Sequence, residues 1–138
     1  MDWSEKTLVW LLRLTGGLLL VAVGAVFMPF GWMAAIHRWL GLGELPNTPM
    51  IGYLTRSLSA LYAVHGALVL YLSFDVRRYL PVVRCLAVLG IVFGAGMIVL
   101  DCVVGLPPAW IVGEGPFIIA LGAALLWLAA RTAVEVDG

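Results

Sequence analysis

Charge is what this sequence has least of. Only 12% of its 138 residues are Asp, Glu, Lys or Arg, against about a quarter in an ordinary soluble domain. The 8 basic and 8 acidic residues cancel, so no basic excess points to nucleic acid and no polybasic cluster to anionic lipid. Cysteine is scarce too, with Cys85 and Cys102 the whole supply. If both lie on one helix, 17 residues separate them by roughly 25 Å. A disulfide needs Cα atoms within about 7 Å, so they are read as small apolar residues. Catalytic motifs are missing as well. Ser57, Ser59 and Cys102 have no base at a spacing that would activate them, and there is no nucleophile elbow. Enzyme activity is not expected. His37 and His65 are the only histidines; they show no paired ligand spacing for a metal, and a haem at His65 would want a second axial ligand at its own depth.

Apolar residues fill the space. They make up 63% of the chain, and the mean hydropathy is +1.07. A water-soluble surface is excluded on those terms, and the pattern reads as an all-α integral membrane protein. Four stretches approach the roughly 20 residues a helix needs to cross a hydrocarbon core about 30 Å thick. They are placed at 7–28, 50–74, 79–103 and 116–133, a bundle of four transmembrane helices in a single domain. Ala22-Val23-Gly24 mimics a signal-peptide cleavage site, but Asp2 and Glu5 accompany Lys6 and Arg13, and the apolar run continues to Phe30, so cleavage is not expected. Spans three and four have uncharged cores of only 16 residues, at 85–100 and 115–130, so their flanking charges must snorkel. Pro81 is placed in the first turn of span three, where its missing N–H costs nothing. Residues 104–115 are read as a loop, and the tail EVDG as too short for a domain.

Between spans one and two, Trp32, Ile36, Trp39 and Leu40 recur at helical spacing in 30–45, with His37 and Arg38 between them. This predicts a short amphipathic helix in the membrane interface, anchored by Trp32 and Trp39. Trp110 is a third anchor. Basic residues set the orientation. Lys6, Arg13, Arg77, Arg78, Arg84 and Arg131 all fall on one side of a four-span hairpin pair, which therefore faces the cytoplasm together with both termini.

Two features carry functional expectations. Gly90-x-x-x-Gly94 in span three provides a small-residue face for helix packing, within the bundle or against a partner helix. Arg56, Ser59, Tyr62 and His65 form a broad polar stripe on span two, and the topology sets Arg56, Asp101 and Glu114 at similar depth. An ionisable group inside a membrane span is costly unless paired or hydrated. The patch therefore either locks helices together through Arg56 and Asp101 or Glu114, or holds the polar end of a quinone or lipid. Tyr53, Trp110 and His37 would close its mouth. A proton path is less well served, because only His65 continues inward.

The stretch 40–130 resembles the DoxX-like group of small four-helix bacterial membrane proteins. The resemblance rests on LGLGELP at 40–46, LTRSLSALY at 54–62 followed by Gly66, the connection 75–81, and Asp101-x-x-x-Gly105-x-Pro107. It implies a bacterial inner-membrane protein, and some members are associated with membrane redox or quinone-linked complexes. Arg56 looks like the family's basic residue in the second helix. WIVGEGP at 110–116 departs from the family pattern. The function expected is a non-catalytic accessory or structural subunit of a larger membrane complex. The alternatives are a binding protein for a lipophilic small molecule and an oligomeric transporter or proton path. Partners are the bilayer and a membrane protein or further copies of the chain.

Overall fold

Strong apolar runs broken by Pro and Gly dictate helices separated by tight breaks, and the structure, a computed structural model, follows that rule. It describes residues 2–134; the tail at 135–138 lies outside them. Among the described residues every regular element is a helix: α1 (Trp3–Val21), α2 (Val23–Val26), α3 (Phe30–Trp39), α4 (Pro49–Leu72), α5 (Val76–Val104), α6 (Pro108–Gly113) and α7 (Gly115–Val134). Among the described residues three segments are long and apolar enough to cross a membrane: Trp3–Val26, Val76–Val104 and Pro108–Ala133. Only 11, 17 and 22% of their apolar windows are buried. A surface so rich in outward Leu, Val and Phe is consistent with membrane association. Helix α4 is long enough, at 24 residues, but Arg56, His65 and its hydroxyl residues lower its hydropathy, and it is not among the three.

Several expected boundaries move. The loop placed at 104–115 contains α6, because Pro108 starts a helix well at its first position, with Pro107 as the residue before it. Pro116 has no backbone N–H to donate, and the chain breaks between α6 and α7 at Glu114 (φ −85°, ψ −73°). Helix α5 starts at Val76 because the Asp75 carboxylate caps it, accepting from the Arg78 N–H at 3.3 Å. Pro81 therefore sits in the second turn, where its ring removes the hydrogen bond due to the Arg77 carbonyl. At the other end Gly105, with φ +78°, closes α5. The Gly105 and Leu106 N–H groups both reach the Asp101 carbonyl at 3.0 Å.

The chain divides into two compact units, Met1–Leu12 with Leu72–Gly138, and Arg13–Tyr71. In the first, α5 and α7 run antiparallel. A Cβ on Gly94 would stand 2.8 Å from the Gly115 carbonyl oxygen, and one on Gly122 would stand 2.8 Å from that of Ala87. Gly90, one turn before Gly94, has nothing within 4 Å of its would-be Cβ. The buried line of α5 is Val76, Leu80, Val83, Ala87, Gly94 and Asp101, a repeat of three, four and seven residues that marks one helix face. Glu5 is buried here and pairs with Arg77 at 2.8 Å, with the two side chains 8 and 53% exposed. Trp3 packs on Trp127 with centroids 6.0 Å apart, and the Arg131 guanidinium lies 4.3 Å from the Trp127 ring centroid. The half-exposed cation limits the worth of the Glu5–Arg77 pair. Arg77→Ala is expected to cost about 1 kcal/mol, largely from the Glu5 carboxylate left behind. Thermal unfolding in detergent checks this, and Glu5→Leu in the same background should recover part of the loss.

In the second unit the end of α1 crosses α4 through glycine. A Cβ on Gly16 would lie 2.7 Å from the Leu70 backbone nitrogen, and one on Gly66 would lie 2.7 Å from the Gly16 carbonyl oxygen. Backbone thus meets backbone in an antiparallel hairpin. The segment expected as an amphipathic helix folds as α3 and ends at Trp39, short of the predicted Leu45. Beyond it His37 Nδ1 meets the Gly43 carbonyl at 3.0 Å, and Arg38 pairs with Glu44 at 3.0 Å, so the Gly41–Gly43 turn folds back on the helix end. Both glycines have positive φ, as such a turn requires.

Candidate functional site

The Arg56 groove begins with two chain breaks. The first is the end of α2. The last carbonyls of a helix lack intrahelical donors, and Pro29 has no N–H to return. Arg56 supplies the donors. Its Nε donates to the Val26 carbonyl at 3.1 Å and its Nη2 to the Met28 carbonyl at 3.3 Å. Its Nη1 donates to the Gly52 carbonyl on α4 itself, at 3.3 Å. A cation at a helix C-terminus is also favoured by the helix dipole, and the planar guanidinium reaches several acceptors at once. The second break is the start of α4, where the Thr48 hydroxyl accepts from the Ile51 N–H at 3.3 Å and Pro49 takes the first helical position.

Between these two ends lies an open groove of about 410 Å³, lined by Phe30, Asn47, Thr48, Pro49, Gly52, Tyr53 and Arg56. Its walls are mostly apolar, with one cation and a rim of hydroxyl and amide groups. That composition suits a small amphiphile. The electrostatics of the unit sharpen the point. Arg13–Tyr71 contains three arginines, Arg13, Arg38 and Arg56, and one carboxylate, Glu44. Arg38 already holds both Glu44 oxygens, at 3.0 and 3.1 Å. Arg56 is therefore solvated by carbonyl dipoles but not neutralised within its own unit.

The other expected residues fall as follows. The Ser59 hydroxyl donates to the Thr55 carbonyl at 2.8 Å, and the Thr55 hydroxyl to that of Ile51 at 2.9 Å. Both are turned back on their own helix. Tyr62 is half-buried, and His65 is exposed, about 100° around α4 from the middle of its buried line of Ala63, Gly66 and Val69. Asp101 and Glu114 belong to the other unit. Asp101 is 1% exposed, and its Oδ2 has no hydrogen-bond partner among the described residues. Glu114 Oε2 accepts from the Trp110 indole N–H, which ties the residue expected as an interfacial anchor to the break between α6 and α7. Trp32 and Trp39 are exposed on α3, where no residue is buried. Of the three residues expected to close the mouth, Tyr53 lines the groove and His37 is spent on the turn at Gly43. The Val26 and Met28 carbonyls, Phe30, Asn47 and Thr48 were not foreseen. Pro29 after a helical run is the one signal that orphan carbonyls would stand there.

Fold and composition thus define a class: among the described residues, an all-helical chain with three helices apolar enough to cross a membrane. The chain matches no protein-family model, no curated protein and no solved structure.

Proposed function

We propose that this chain is an integral protein of a bacterial inner membrane that holds the polar end of a lipophilic molecule, a lipid or quinone, in the Arg56 groove. The carrying observation is a cation in a mostly apolar groove with no carboxylate left for it in its own unit. In this reading α4 is a fourth span. Its length of 24 residues gives about 36 Å, and the cost of its polar groups is reduced where they are already bonded. Thr55, Ser57 and Ser59 donate to carbonyls of α4, and Arg56 to three carbonyls. Helix α3 lies along the interface, with Trp32 and Trp39 at headgroup level. The basic ends, from Lys6 to Arg131, face the cytoplasm.

A second reading is an accessory subunit of a larger complex. The observation favouring it is that Gly90 on α5 has nothing within 4 Å of a would-be Cβ, a point at which another helix backbone can approach closely. Native mass spectrometry after gentle detergent extraction from the source membrane separates the two. The expected result is the chain, alone or as a homo-oligomer, carrying a defined small molecule. Stoichiometric protein partners without a small molecule would establish the subunit reading instead.

A further inference from the structure

We propose that the occupant of the Arg56 groove is the anionic headgroup of a membrane phospholipid. The inference rests on the groove-binding reading and names its ligand class. Three observations lead to it. A guanidinium has five N–H donors, and three are engaged by the Val26, Met28 and Gly52 carbonyls. The two that remain, one on Nη1 and one on Nη2, match a phosphate, which takes paired N–H donors from arginine. Second, Glu44 is the one carboxylate of 13–71 and is already paired with Arg38, so that unit leaves none for the Arg56 charge. A neutral quinone carbonyl would accept a hydrogen bond but leave that charge uncompensated. A zwitterionic headgroup would bring its own cation beside Arg56. One anionic phosphodiester carries the single negative charge that matches Arg56. Third, the groove is small and open. Its volume of about 410 Å³ lies near the lower end of ligand pockets, which span roughly 300–1,000 Å³. It takes a phosphate and glycerol against Tyr53 and Phe30, with Asn47 and Thr48 offering polar contacts at the rim. The acyl chains stay outside in the bilayer. Recognition through one polar-bonded arginine in a groove differs from capture by a polybasic cluster, which this sequence lacks.

The test uses the full chain in detergent, titrated with phosphatidylglycerol and with phosphatidylcholine of the same acyl chains and read by native mass spectrometry. Phosphatidylglycerol should be retained about tenfold more strongly, the scale of one charge-assisted hydrogen bond. The preference should shrink as salt rises. Arg56→Gln should abolish it and Arg56→Lys keep part of it. Arg56 also holds the end of α2, so Arg56→Gln is interpreted only if its helix content matches the wild type. The wild-type preference decides the matter without it. Equal retention of the two lipids, or of a neutral benzoquinone, would overturn the anionic assignment while leaving groove binding intact. Retention of no amphiphile at all would overturn both. Equal affinity for soluble glycerol phosphate and for the intact lipid would overturn the membrane source.

Discussion

Gly66→Leu is expected to destroy the hairpin of α1 and α4. A Cβ at Gly66 would stand 2.5 Å from the Leu20 backbone nitrogen and 2.7 Å from the Gly16 carbonyl oxygen. Those neighbours are main chain and cannot rotate away, so the helices would have to separate. One extra methyl in a close-packed site already costs about 1–3 kcal/mol. Leucine adds three more carbons and removes the contact along the whole crossing. In lipid there is no hydrophobic drive to hold the helices together once that packing is lost. Gly17→Ala is the matched control. Nothing lies within 4 Å of its would-be Cβ, and alanine favours a helix by up to about 1 kcal/mol over glycine. Melting followed by circular dichroism in detergent, with size exclusion for monodispersity, should show Gly17→Ala at or above the wild type and Gly66→Leu misfolded or far below it. A Gly66→Leu protein that melts with the wild type would refute the close crossing.

That contrast also shows what a sequence can and cannot say. The helices were legible because long apolar runs bounded by Pro and Gly admit little else: α4, α5 and α7 lie within a few residues of the expected spans, while the first expected span, 7–28, breaks into α1 and α2. The weaker hydropathy of α4 was legible too, in Arg56 and His65. Helix α6 was not, because two consecutive prolines read equally as a loop and as a helix start. Glycine contacts were legible only as a composition. Gly90 and Gly94 share a motif, yet only Gly94 meets the backbone of α7, and the register of the pair is set along the whole α5–α7 interface. Long-range polar contacts were the least legible. Glu5 and Arg77 are 72 positions apart. Arg56 was matched in the sequence against carboxylates, while the groups it reaches in its own unit are the carbonyls of Val26 and Met28. Every residue has a carbonyl, so a sequence gives no sign of which will be left without a donor.

Asp101→Leu is expected to stabilise the protein. Asp101 ends the line Val76, Leu80, Val83, Ala87 and Gly94, all apolar or glycine, and its buried Oδ2 has no hydrogen-bond partner among the described residues. A buried polar group left without a partner costs about 1–3 kcal/mol in proteins. Leucine keeps the branching and has no polar atom, and removing the unpaired carboxylate outweighs the strain of two methyls in place of two oxygens, so a higher melting temperature in detergent is the expected result. Asp101→Asn keeps the shape and polar atoms and should gain less. The opposite outcome, a loss of stability in both variants, would mean that the carboxylate is paired. The pairing with Arg56 expected from the sequence would then be tested by whether the double variant, Arg56→Ala with Asp101→Ala, restores what the single changes lose. If Asp101→Leu does stabilise, the group is not there for the fold. Groups that cost stability tend to be kept where function needs them. Lipid retention by the stabilised variant, measured beside its melting, would then show whether Asp101 bears on the Arg56 groove.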